Sequence, residues 1–377
     1  MIKRKHVFFV AGELSGDIHA AAVASLMKKK NPNLQITAIG GPHMEKAHIP
    51  LVAHINDLSV MGVVEVLFKY RKIKTILKKT ADYIRKEMPD IVIFTDFPGF
   101  NLKLASMVKG LGIKLVYYVS PQIWAWHYSR IKTIKALFDE VIVLLPFEKD
   151  IYESEGVHSQ YFGHPLAYKI KHYKIQKTFK NKKRYLVLFM PGSREHEIHS
   201  LFPVMNQIID KWNLDNTDFY IACADTIDEK FLEEKTSSAK KVKIVKFHNY
   251  DLMAQADLII TASGTASLEA SLFLKPVIVL YKVHFLSKLL FDWFVKVKYI
   301  SLTNILLKKE VIPEFFKNYL DTNEILMRSY SLLKNSDKIM ASLLKVRKKL
   351  YQGDSYKQIA LHFLALLEDS TKKSERA

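Results

Sequence analysis

The strongest constraint on the fold of this chain is an alternation that runs twice. Short apolar runs rich in Val, Ile, Phe and Tyr alternate with longer amphipathic stretches such as HAAAVASLMKKK (19–30) and ASLEASLFLK (266–275). HVFFVAG, LQITAIGG, DIVIFTD, KLVYYVS, EVIVLLP and SQYFGHP make a first series. YLVLFMPG, DFYIACAD, VKIVKF, LIITASG and PVIVLYK make a second. Strands that are apolar on both faces need cover on both faces, and the intervening helices supply it. The pattern therefore predicts α/β architecture with parallel, doubly wound sheets. Between the two series lies AYKIKHYKIQKTFKNKKR (167–184), basic and without a buried strand. We read a first Rossmann-like domain over 1–170 and a second over 171–345. Residues 346–377 read as a C-terminal helix and tail, able to pack back on the first domain, with the last dozen residues frayed. In such sheets ligands bind beyond the carboxyl ends of the strands, here facing an interdomain cleft.

Composition narrows the partners. The 377 residues carry a net charge of +19, from 57 basic and 38 acidic side chains. A balance this basic favours an anionic partner: nucleic acid, a phospholipid surface or a phosphorylated substrate. The basic residues are spread through helices, with no nucleic-acid-binding motif, so nucleic acid is not expected. The lone cysteine, Cys223, excludes an internal disulfide, suits a reducing cytoplasm and reads as a packing residue. The opening MIKRKHVFFVAGELSGD is a first strand rather than a signal peptide. No window holds about 20 uninterrupted apolar residues, so no transmembrane helix is expected.

The polar motifs follow strands. In AGELSGDIHA (11–20), Gly12 and Gly16 permit a tight turn and close approach, and Ser15 or Asp17 can cap the next helix. Glu13 and Asp17 would repel a phosphate, so a sugar or acceptor loop fits better. In FTDFPGFN (94–101), Asp96 stands at a strand end, where an acid can deprotonate a hydroxyl. In MPGSREHE (190–197), Gly192 and Ser193 open a helix and Arg194 adds a planar cation, a combination that can hold a diphosphate. In TASGTASLEA (261–270), Ser263, Gly264 and Thr265 form a second anion nest, and Glu269 can accept both hydroxyls of a ribose. Two phosphate-competent loops with a carboxylate nearby point to one nucleoside diphosphate. The 14 histidines are scattered and no DxD pair stands out, so no metal site is expected.

Two stretches have the makings of interfacial helices, apolar faces flanked by Lys and Arg. The first, 58–79, offers Val63, Val66, Leu67, Phe68, Ile73 and Leu77 beside Arg71, Lys72, Lys74, Lys78 and Lys79. The second, 282–299, offers Phe285, Leu289, Trp293 and Phe294.

AGELSGD, LSVMGVVEVL, TDFPGFN, YVSPQIWAW, LPFE, FGHP, MPGSREHE, SGTASLE and YISLTNIL stand in this order. Together they resemble the lipid-A-disaccharide synthases, inverting glycosyltransferases of Gram-negative bacteria, over residues 7 to about 317. The resemblance implies a GT-B fold and a membrane-surface reaction on the cytoplasmic face of the inner membrane. UDP-2,3-diacylglucosamine would give its sugar to 2,3-diacylglucosamine 1-phosphate. The products would be the β-1′,6-linked disaccharide 1-phosphate and UDP, formed without metal or cofactor. It implies Asp96 as general base, Arg194 at the departing diphosphate, Glu269 at the ribose and Asn304 in a donor-binding or catalytic role. The segment VSPQIWAWHYSR (119–130) becomes the acceptor-side wall, with Gln122, Trp124 and Trp126 joining Glu13, Ser15, Gly16 and Asp17. Two departures stand out: Gly99 replaces a common second Asp, and Lys317 stands where Gln is common. PGSR and SGTASLE alone would also suit a UDP-N-acetylglucosamine 2-epimerase; the QIWAW segment separates the two.

Overall fold

Thirteen strands, all paired in parallel, build two sheets in the computed structural model. It describes residues 4–58, 66–124, 128–181, 183–238, 240–282, 298–317 and 320–374, side chains at 66–70, 317 and 369–374 excepted. The first sheet holds β1 (His6–Ala11), β2 (Gln35–Gly40), β3 (Leu51–His54), β4 (Ile91–Thr95), β5 (Lys114–Tyr118), β6 (Glu140–Val143) and β7 (Ser159–Tyr161), in the order 3-2-1-4-5-6-7. The second holds β8 (Tyr185–Met190), β9 (Thr217–Cys223), β10 (Val242–Lys246), β11 (Leu258–Ala262), β12 (Val277–Lys282) and β13 (Glu314–Lys317), in the order 10-9-8-11-12-13. Both orders reverse once, beside the first strand of the sheet. That reversal is where doubly wound sheets open a crevice for a ligand.

The helices are α1 (Leu14–Lys30), α2 (Pro42–Lys46), α3 (Val66–Glu87), α4 (Pro98–Val108), α5 (Arg130–Leu137), α6 (Pro146–Ser154) and α7 (Pro165–Lys171). Then come α8 (Glu195–Lys211), α9 (Glu229–Lys235), α10 (Asn249–Gln255), α11 (Thr265–Leu272), α12 (Leu302–Leu307), α13 (Thr322–Lys334), α14 (Ser336–Leu350) and α15 (Ser355–Ser374).

Strand side chains alternate between two apolar layers. Phe8 and Val10 face the layer of α4 and α5, while Val7, Phe9 and Ala11 face the layer of α1 and α15. In the second sheet Val187 and Phe189 face α8, and Leu186, Leu188 and Met190 face α10 and α14.

The chain divides into a first unit, 1–165 with 352–377, and a second unit, 166–351. The divisions fall at 165 and 351, rather than 170 and 345, because α7 begins at Pro165 and α14 runs on to Leu350. The final helix completes the first unit's core. Phe363 meets Phe9 and Tyr118 edge-on at 6.5 and 6.2 Å. Leu367 is buried and the helix continues to Ser374, so the described part of the last dozen residues is helical rather than frayed.

The basic linker lacks a strand because α10 holds it instead. Asp251 accepts from Tyr173 Oη at 2.9 Å and the Gln176 amide at 2.7 Å, and Gln255 accepts from the Phe179 amide at 2.9 Å. β3 and β13 had no signal as strands, being short edge elements of four residues each. Cys223 is buried, as a packing residue should be.

Candidate active site in two halves

In the first unit, the loops after β1 and β4 flank the reversal, with Ala11 and Thr95 paired in register. Asp96 and Phe97 leave β4 with φ of 52° and 45°, and Val119 leaves β5 at 57°. Left-handed backbone at three non-glycine residues is held only where the surroundings fix it, and such residues gather at functional sites. The fixing groups are visible. The Asp96 carbonyl accepts from Asn101 Nδ2 at 2.7 Å and from Tyr117 Oη at 3.0 Å. Its amide is shared between the Tyr118 and Val119 carbonyls. The backbone is thus locked while the carboxylate remains partly exposed, meeting Ser15 Oγ at 2.9 Å. Glu13 and Ser15 are exposed in the first turn of α1 and Gln122 in the segment after β5.

Two acceptor-side expectations fail here. Asp17 is 0 % exposed, and its oxygens accept from the amides of Gly41, His43 and Met44 at 2.7, 2.8 and 3.3 Å. It caps α2 and has nothing left for a ligand. Gly16 is buried because α1 crosses β4 closely; a Cβ there would stand 3.2 Å from the Thr95 carbonyl oxygen. Gly12 likewise makes room for the Phe97 ring, not for a ligand.

Trp124 is half-buried and donates from Nε1 to Glu148 at 2.9 Å; Trp126 lies outside the described residues. Of the first basic stretch, Val63 and the side chains of Val66, Leu67 and Phe68 lie outside the described residues as well, as does 283–297. Ile73 and Leu77 pack against the first unit's core and remain partly exposed. Arg71, Lys72, Lys74, Lys78 and Lys79 on the same helix are exposed.

In the second unit, β8 and β11 are the neighbours at the reversal, with Met190 paired to Thr261. Gly192 (φ 119°) turns the chain into α8, leaving Ser193 and Arg194 exposed, Arg194 at 71 %. Glu197 folds back to accept from the Ser193 amide at 3.2 Å and pairs with Arg194 at 3.4 Å. Gly264 (φ 139°) and Thr265 are exposed at the start of α11, beside half-buried Ser263. Glu269 takes a hydrogen bond from Tyr250 Oη, and Lys169 Nζ lies 4.5 Å from the Tyr250 ring centre. Burial pushes the Glu269 carboxyl up, and Tyr250 and Lys169 oppose that shift.

Asn304 is not at a ligand surface. It is 0 % exposed, Nδ2 donates to Ile312 O and Glu314 at 2.8 and 2.6 Å, and Oδ1 accepts from the Val311 and Ile312 amides at 2.7 and 3.1 Å. A primary amide has two donors and two acceptor sites, and all are filled. Asn304 therefore shapes the turn before β13 and has no free group for catalysis.

Sequence reasoning missed Phe247. It is 75 % exposed at φ 66°, just past β10, and Tyr250 three residues on bonds to α11. KFHNYD shows an aromatic at a strand end but cannot show that it faces outward. Among the described residues no three His, Cys, Asp or Glu side chains cluster as a metal site would need.

Two doubly wound domains, each with polar loops at its strand-order reversal, define a protein of the GT-B type. A glycotransferase of kitacinnamycin shares the fold, with a TM-score of 0.64 at 12% identity, over 97% of this chain and 99% of that one. So does a UDP-GlcNAc 2-epimerase from Neisseria meningitidis bound to UDP-GlcNAc, with a TM-score of 0.63 at 15% identity, over 96% and 100%.

Sequence likeness is closer. The Lipid-A-disaccharide synthetase family profile matches residues 7–366. A lipid-A-disaccharide synthase of Syntrophus aciditrophicus is 34% identical over 378 residues, covering 97% of this chain and 99% of its own. Lipid-A-disaccharide synthase 1 of Legionella pneumophila (strain Paris) is 37% identical over 339 residues, 88% of each. The chain belongs to the lipid-A-disaccharide synthetase family. It is a glycosyltransferase of lipid A synthesis, with a UDP-sugar donor and a sugar-phosphate acceptor. Among the described residues no helix is long and apolar enough to cross a membrane.

Proposed function

We propose that the chain transfers 2,3-diacylglucosamine from UDP-2,3-diacylglucosamine to 2,3-diacylglucosamine 1-phosphate. Asp96 takes the proton of the acceptor's 6-hydroxyl. The oxygen attacks the anomeric carbon from the face opposite UDP, the bond to the diphosphate breaks, and the configuration inverts. Ser15 orients the Asp96 carboxylate. In the donor half, Arg194 and the amides near Ser193 and Gly264 take up the charge that grows on the leaving diphosphate. Glu269 accepts the ribose hydroxyls, and Phe247 offers the uracil a flat apolar face. These groups do the work without a metal ion.

The reaction takes place on the cytoplasmic face of the inner membrane, whose anionic headgroups attract the exposed Arg71, Lys72, Lys74, Lys78 and Lys79. With Ile73 and Leu77 held partly against the first core, electrostatic attraction carries most of the contact on this part of α3.

The observation that supports this reading most is the placement of Asp96: a partly exposed carboxylate on a locked, left-handed strand end at the sheet reversal. UDP release by the purified chain in detergent micelles tests it. Release that requires the acceptor, persists in EDTA and is lost in Asp96→Ala supports the reading. Release without acceptor, or full activity in Asp96→Ala, overturns the assignment of the base.

A further inference from the structure

Glu148 is 3 % exposed, yet the proposed chemistry leaves it unused. It is the third residue of α6, just past the carboxyl end of β6. Oε2 accepts from the Leu145 amide at 3.0 Å, which is ordinary helix capping. Capping does not explain Oε1, which accepts from the Trp124 indole at 2.9 Å. Trp124 is held from another side by Phe147, edge-on at 5.1 Å. The Leu144 amide supplies one more donor.

Every hydrogen-bond partner of this carboxylate donates. The ionised form is the better acceptor for all of them; protonation puts an O–H on one oxygen and weakens the group as an acceptor. The titratable groups facing it are the phenols of Tyr152, on its own helix, and Tyr161, on β7. Burial pushes both phenols up, so both are neutral and neither supplies a cation. Burial likewise pushes the Glu148 carboxyl up to about 7, against the pull of its donors.

The indole it holds belongs to the segment that leaves β5. That strand lies beside β4, and its Val119 carbonyl accepts from the Asp96 amide at 3.2 Å. Glu148 therefore anchors an aromatic in the segment that follows the strand next to the candidate base. We propose that Glu148 is a positioning residue of the acceptor half, pinning Trp124 by its indole N–H, most firmly while the carboxylate is ionised. This rests on the reading of the first unit as the acceptor side. It gives acceptor binding an acid limb near neutral pH that belongs to Glu148.

The test uses the full chain in micelles, with Glu148→Gln, Trp124→Phe and the double variant. Trp124→Phe keeps a ring and removes only the N–H and part of the indole, so the fold survives it. Each single variant should raise the acceptor KM about tenfold and leave the donor KM within twofold. The double variant should be no worse than either single one, because one bond is being removed twice. The wild-type acid limb near pH 7 in acceptor kcat/KM should flatten in both. Multiplicative losses, or equal rises in both KM values, would overturn the proposal. A second readout needs no turnover. The emission of Trp124, taken as wild type minus Trp124→Phe, should titrate near pH 7 and lose that transition in Glu148→Gln. An emission flat through pH 7 would sink the pin even if transfer proceeds. A clear transition in a chain that transfers no sugar would sustain the pin and remove the acceptor reading instead.

Discussion

Ser15 Oγ donates to Asp96 Oδ2 across 2.9 Å, tying the first turn of α1 to the strand end that carries the candidate base. The two residues are 81 positions apart and belong to different βα units. Among the described residues this is the carboxylate's hydrogen bond, whereas the Asp96 carbonyl carries two. Backbone and side chain are therefore separable by mutation.

Asp96→Ala should lower kcat by about 10²–10⁴-fold, the usual worth of a positioned general base. Its urea midpoint should stay near wild type, since the locking bonds run to the backbone. Ser15→Ala should cost less, about tenfold, through a less well oriented carboxylate. Side-by-side kinetics and urea melts check the pair; an Asp96→Ala chain that is merely unstable would refute the split.

Asn304→Ala should behave in the opposite way. Removing its amide strands the Val311 and Ile312 amides and the Ile312 carbonyl, each worth about 1–3 kcal/mol if buried without a partner. We expect a lowered urea midpoint first, with any loss of kcat following the loss of folded protein. A variant of wild-type stability with kcat down a hundredfold would restore a direct catalytic role.

Arg194→Ala should raise donor KM or lower kcat by about 10²-fold, as expected for a preorganised charge facing a leaving group. Arg194→Lys should recover only part, because a point charge lacks the planar fork. Stability should not move, since an exposed ion pair such as that with Glu197 contributes little. UDP titrations of the three proteins decide it.

Stability should depend on pH between about 4.5 and 6.5. Burial draws His19 down to about 4 and His164 down to about 3, from 6.5. Across that window the unfolded chain binds these two protons and the folded chain does not, so both histidines make stability fall as pH falls. Glu148 works the other way: its carboxyl near 7 against an ordinary 4.5 makes the folded chain bind one proton more. Glu269, whose carboxyl burial also raises, acts in the same sense as Glu148 and offsets part of the histidine slope. Glu148→Gln removes one opposing contribution and should steepen the slope. Urea midpoints measured at several pH values give both slopes, and a shallower slope in the variant would contradict the assignment.

Phe363→Ala should destabilise the first unit by about 3–5 kcal/mol, the cost of an aromatic-to-alanine cavity in a packed core. The second unit, whose layers do not include Phe363, should be spared. Unfolding followed by tryptophan emission should then show an earlier first transition.

Much of this was legible because strand-end chemistry is local. Asp96, Ser193 and Gly264 each follow an apolar run directly, so their place at the carboxyl edge could be read from the run itself. Side-chain commitments across the sheet were not legible. Asp17 looks like a ligand group until Gly41, His43 and Met44 present their amides to it, and those lie a whole βα unit away. Asn304 looks catalytic until the turn at 311–314 closes on it. The burial of Ile73 and Leu77 failed for a related reason. An amphipathic helix has the same periodicity whether its apolar face meets a core or a bilayer. Only the neighbours decide, and here the first unit's core covers part of that face.

The return of residues 352–377 to the first unit has a consequence for how the protein is made. A growing chain exposes residues 1–165 first, then the whole contiguous second unit, and only last the helix bearing Phe363. At about 5–20 residues per second, that gap is on the order of 10–40 s. Throughout it Phe9, Val23 and Met27 lack the surface that finally covers them. The second unit can reach its native state on the ribosome. The first cannot until residues 352–377 have emerged, and a chain cut short before them leaves an apolar sheet face open to aggregation or chaperone capture.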